Sequence, residues 1–169
     1  MVEKKFVVYD LRISYNGPVR IEDFYKEVED WMRQKGLSKE LKKKMENLAS
    51  KGKKLEWTIE CWKDITTYTK EVVRLRSFFN NVREIEVRRN GKRIKTQQAD
   101  VLIQIDGILE TELSQRWEQT PLYYFIKMLV DKYIWPFYSG RYDGFPAADA
   151  HDLHKTLQAF FNLQKMQVQ

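Results

Sequence analysis

The stretch from Ala99 to Trp117, ADVLIQIDGILETELSQRW, constrains the fold more than any other, because it is the longest alternation of apolar and polar residues in the chain. At the two-residue period of a strand, Val101, Ile103, Ile105, Gly107, Leu109, Thr111 and Leu113 share one face. Leu102, Gln104, Asp106, Ile108, Glu110 and Glu112 share the other. Such a strand needs a core on one side and tolerates water or counter-charges on the other. Gly107 in its middle predicts a bulge or a sharp bend.

The rest of the chain supplies partners for that strand. Phe6 to Tyr15 alternates in the same way and stops at Asn16-Gly17-Pro18. Ile21, Phe24, Tyr25, Val28, Trp31 and Met32 then recur at helical spacing up to Gly36. Ser38 reads as the N-cap of a second helix with a thin stripe of Leu41, Met45 and Leu48 among lysines. Lys54 to Asp64 and Tyr68 to Phe79 read as strands, with Asn80-Asn81 as a turn after the second. Glu84 to Lys95 reads as a hairpin about Asn90-Gly91, whose type I′ turn sets Val87 opposite Ile94, Glu86 opposite Lys95 and Arg88 opposite Arg93. Beyond the long strand, Thr120-Pro121 opens a helix to Trp135 with Leu122, Phe125, Ile126, Leu129, Tyr133 and Ile134 on a wide apolar face. After the loop FYSGRYDGFP, a last helix from about Ala148 carries Leu153, Leu157, Phe160 and Phe161.

The expected fold is therefore α+β: one domain over residues 1–169, with a curved antiparallel sheet of about six strands packed on C-terminal helices and two helices inserted after the first strand. In the order of its elements the chain resembles the helix-grip superfamily of START and polyketide-cyclase-like domains, over most of its length and without a family motif. That resemblance implies a ligand or partner held between the curved sheet and the C-terminal helix.

At 43% hydrophobic residues the chain has enough apolar content for a core despite being 32% charged. No apolar run approaches the roughly 20 residues of a membrane span, and the N-terminus lacks the pattern of a secretory signal, so a cytoplasmic location is expected. Cys61 is the only cysteine, which leaves no internal disulfide. The net charge of +6 is compatible with an anionic partner.

No nucleotide-binding loop, HExxH or GxSxG occurs, so no reaction is specified, no catalytic residue is assigned and no cofactor is expected. The leading expectation is a non-catalytic binding protein for a small apolar or amphipathic ligand or a protein partner, using Trp57, Ile105, Tyr124, Tyr133, Trp135, Tyr138 and Arg141. The first alternative is an RNA or ribonucleoprotein binder that uses the lysine-rich helix, with Lys42, Lys43 and Lys44, and the strand and hairpin cations Arg74, Arg76, Arg88 and Arg93. The second is a metal-dependent enzyme built on Asp106, Glu110 and Glu112 or on His151 and His154. For the acids the simpler expectation is a charged outer sheet face opposite the arginines, and for the histidines a surface role; Cys61, with Trp57 and Ile59 on its own face, reads as a core thiol.

Overall fold

The computed structural model describes residues 2–112 and 140–167, together with residues 125–126, 128–129 and 132–133, which are helical. The elements are β1 (Val2–Val19), α1 (Ile21–Lys35), β2 (Ser38–Ala49), β3 (Gly52–Thr66), β4 (Thr69–Arg89), β5 (Lys92–Glu112) and α2 (Gly144–Met166). All strands run antiparallel in one open sheet of five, ordered β1-β5-β4-β3-β2, with β1 and β2 at its edges.

On the inner face of β5 the alternation is realised, whereas on the opposite face Asp106 and Ile108 are buried as well. Val101, Ile103, Ile105, Gly107 and Leu109 are all buried. Across the sheet, Leu11, Ile105, Leu75, Ile59 and Leu41 form one row of this inner face. The helices cover it. From α1 come Ile21, Phe24, Val28, Trp31 and Met32, the positions that its helical spacing marks, and from α2 come Leu153, Leu157, Phe160 and Phe161. Phe24 sits at the centre, edge-on to Phe79 at 5.3 Å and stacked on Phe161 at 5.8 Å. Gly36, at φ 68°, ends α1 in the left-handed conformation and lets Leu37 N donate to Met32 O at 3.0 Å.

Four expectations need correction. The segment from Ser38 to Ala49 is the edge strand β2, not a second inserted helix, and among the described residues the sheet has five strands rather than six. The lysines, glutamates and leucines of β2 are all exposed, and pairing along β3 satisfies its backbone on one side. Asn80-Asn81 is a bulge inside a continuous β4, with Asn81 at φ 52°, and not a turn between strands. The bulge expected at Gly107 does not fall in β5. A β-carbon there would lie 2.6 Å from the carbonyl oxygen of Pro146, so glycine is what lets the first turn of α2 touch the sheet. The register shifts lie opposite, in β1, where Asp10 takes φ 58°. Lastly, the inner face packs on α1 and α2, and α2 begins at Gly144 rather than Ala148. Of the expected helix from Thr120 to Trp135, the described side chains of Phe125, Ile126, Leu129 and Tyr133 are exposed, Tyr133 by 60%.

Candidate functional site

Three groups of polar residues stand out, and they differ in how completely their charges are answered. The outer sheet face is a ladder of paired charges. Arg76 Nη2 donates to Asp106 Oδ2 at 2.9 Å and to Oδ1 at 3.3 Å, and the backbone N–H of the strained Asp10 donates to the same Oδ1 at 2.9 Å. Arg74 meets Glu60 at 2.8 Å, Lys43 meets Glu56 at 2.7 Å, and Lys42 lies 2.6 Å from Glu40 and 3.6 Å from Glu60. Glu110 is paired with Lys4 at 2.6 Å. These cations and acids answer one another across strands, which is a structural arrangement.

A second cluster lies at the edge of the core, where sheet, α1 and α2 meet. Glu71 is fully buried on the inner face of β4, with Lys63 Nζ 2.6 Å from its Oε1. Lys63 also lies 3.5 Å from Asp149, Lys35 lies 3.3 Å from Asp149 and 3.0 Å from Asp152, and Trp31 Nε1 donates to Asp152 at 2.9 Å. Burial, helped by the neighbouring Asp149 carboxyl, outweighs the pull of Lys63 and raises the Glu71 pKa above the ordinary carboxyl range. The Trp31 hydrogen bond and then Lys35 hold Asp152 below it. Two ammonium groups thus alternate with three carboxyls and tie both helices to β3 and β4. The sequence carries a signal for this cluster, because Glu71 is in phase with the buried Val73, Leu75 and Ser77.

The third group is the end of the β4–β5 hairpin. β3 pairs with β4 only from Val82 downward, and β1 leaves β5 at Gln97, so the ladder from Ile85–Thr96 to Arg89–Lys92 is a two-stranded arm. At about 3.4 Å per residue it extends roughly 17 Å past its neighbours. Asn90 at φ 51° and Gly91 at φ 76° form its turn, and the pairs Val87–Ile94, Glu86–Lys95 and Arg88–Arg93 stand in the register that the Asn-Gly turn demands. Arg83, Arg88, Lys92, Arg93 and Lys95 are exposed, and none of them joins an ion pair among the described residues. Arg89 is half-buried and donates to the side-chain carbonyl of Gln167 at the end of α2.

At the root of the arm two clefts adjoin. One, of about 530 Å³, is lined by Asn16, Ser50, Lys51, Asn81, Arg83, Gln98, Ala99 and Asp100. The other, of about 390 Å³, shares Asn16 and Asp100 and includes Ser14, Asn80 and Leu102.

Of the residues expected to bind an apolar ligand, Ile105 is fully buried in the packed core. Trp57 is half-buried, stacked on Tyr25 at 3.5 Å with Lys44 Nζ 4.8 Å from its ring, and its Nε1 has no hydrogen-bond partner among the described residues. Tyr133 and Arg141 are exposed, and Tyr124, Trp135 and Tyr138 lie outside the described residues. Of the nucleic-acid set, Lys42, Lys43, Arg74 and Arg76 are held by acids and Lys44 lies over Trp57, on a strand and not on a helix; Arg88 and Arg93 stand on the arm. His154 Nε2 lies 3.1 Å from the Arg12 carbonyl oxygen, and His151 is exposed. No group of three or more metal-ligating side chains occurs among the described residues. The Cys61 thiol is buried beside Met32 Sδ, and burial pushes its pKa up to about 12. No protein-family model, curated protein or solved structure matches the chain.

Proposed function

We propose that the protein is a non-catalytic nucleic-acid-binding protein that engages single-stranded RNA through the basic β4–β5 arm. One observation carries this reading: Arg88 and Arg93 face each other directly across the ladder, exposed and without an acid to separate them. Like charges in that position destabilise a hairpin, and a phosphate backbone relieves the repulsion. Elsewhere in the sheet Arg74 and Arg76 each meet an acid, whereas the arm's one acid, Glu86, stands opposite Lys95 and not between the two arginines. The arm is preferred to a pocket under the C-terminal helix because side chains from α1 and α2 fill the inner face there. No helix among the described residues is long and apolar enough to cross a membrane.

The test is fluorescence anisotropy of a labelled single-stranded RNA across a salt series. The wild-type affinity should fall steeply with salt. Reversing both arm charges (Arg88→Glu, Arg93→Glu) should weaken binding at least tenfold and reduce the salt slope by about two, near one per lost phosphate contact. Neutralising Lys42 and Lys43 should do far less. Binding that is insensitive to the arm charges would refute the reading.

A further inference from the structure

The two clefts at the root of the arm share one carboxylate. Asp100 Oδ2 accepts a hydrogen bond from Asn81 Nδ2 at 2.6 Å, and its Oδ1 accepts one from Asn16 Nδ2. Asn16 lies near the end of β1, Asn81 sits in the bulge of β4 at φ 52°, and Asp100 lies between them on β5, so three strands fix the carboxylate from both sides. Because both amide nitrogens are used on Asp100, the side-chain carbonyls of Asn16 and Asn81 remain as acceptors. The surroundings on either side differ in kind. The larger cleft carries Lys51, from the β2–β3 turn, and Arg83, from just beyond the bulge; both are exposed and neither joins an ion pair among the described residues. The smaller has the half-buried Leu102 in its lining.

We propose that these clefts take one nucleotide of a single-stranded chain. Its phosphate lies against Lys51 and Arg83, and the hydrogen-bond-donating edge of its base lies against Asp100, with the base face on Leu102. Each carboxylate oxygen keeps a lone pair after accepting from its amide, so the fixed Asp100 offers two parallel acceptors. Guanine presents two adjacent donors, N1–H and the N2 amino group, and matches that pair better than uracil, which has one donor between two acceptors. Single-stranded RNA is read in this way, by the edges of splayed bases and by their faces. The two cations come from different parts of the chain, Lys51 from the β2–β3 turn and Arg83 from β4, and both line the larger cleft. The inference rests on the arm reading only for the source of the nucleotide.

The experiment is an amide NMR titration of the full chain with guanosine 5′-monophosphate, uridine 5′-monophosphate and inorganic phosphate in parallel. The expected result is shifts at Ser50, Lys51, Asn81, Arg83 and Asp100 that saturate at least tenfold earlier with the guanine nucleotide than with the uracil one, and earliest of all relative to phosphate alone. Lys51→Ala, on an exposed turn, should weaken both nucleotides alike, whereas Asp100→Asn should erase the preference while leaving phosphate binding in place. Because Asp100→Asn touches three strands, its melting curve is measured beside it, and Lys51→Ala decides if the fold is lost. No shifts at these residues up to 10 mM nucleotide, or equal affinity for the two bases, would overturn the proposal. Arg88→Glu with Arg93→Glu should leave the mononucleotide shifts intact, which separates failure of the cleft from failure of the arm.

Discussion

At the scale of single residues, the most consequential group is Glu71, a fully buried carboxyl on the face of β4 that otherwise carries Val73, Leu75 and Phe79. Burial is the main reason its pKa stands above the ordinary carboxyl range, with Asp149 adding to it and Lys63 opposing. A carboxyl whose folded-state pKa is raised holds its proton more tightly when folded. Its contribution to stability is therefore fully present below the ordinary carboxyl pKa and is lost as pH rises through the raised value. Glu71→Gln keeps the shape and removes the charge, so its urea-denaturation midpoint should gain on the wild type as pH rises from about 4 to 8. The opposite trend, with the wild type gaining on the variant, would show that the Lys63 ion pair outweighs burial. Much of this level escapes a reading of the sequence. The periodicity of β4 marks Glu71 as out of place, but its ion-pair partner Lys63 comes from β3, and only the packing brings Asp149 of α2, with Lys35 and Asp152 behind it, into the cluster.

At the scale of elements, the contact between α2 and β5 turns on Gly107. With Pro146 O only 2.6 Å from the place of a β-carbon, and Ala150 Cβ 3.3 Å from it, Gly107→Ala must push backbone away rather than rotate a side chain. The expected cost is about 1–3 kcal/mol, read from chemical denaturation. A change below about 0.5 kcal/mol would mean that α2 yields freely. The elements also show what kind of signal a sequence can carry. The register of the arm is legible because a two-residue Asn-Gly turn leaves little freedom, and α1 is legible because all its apolar positions reach the same core. β2 is not legible, since lysine, glutamate, leucine and methionine favour a helix locally, and the deciding interaction is the backbone ladder offered by β3. The lengths of β4 and β5 are hidden for a related reason: asparagines that would end a strand elsewhere are absorbed as a bulge, and the bulge then helps to form the Asp100 clefts.

At the scale of the whole molecule, the arm and the core are separable. Removing Glu86–Arg89 and Lys92–Lys95 keeps Asn90-Gly91 as the turn, now between Ile85 and Thr96, and preserves the pairing phase because four residues leave each strand. No core residue lies in the deleted segments, so the melting temperature should move by only a few degrees, while RNA affinity should fall at least tenfold and the salt slope should shrink. A collapse of the fold on this deletion would show that the arm holds the molecule together and is not an appendage. β5 ends at Glu112, beside Val2 at the start of β1, and the chain comes back at Asp143, which Lys5 of the same strand grips at 2.6 Å just before α2 meets Gly107. Departure and return share one corner of the sheet. Both ends are therefore held by the same edge strand, so loosening the first residues of β1 would release the two together.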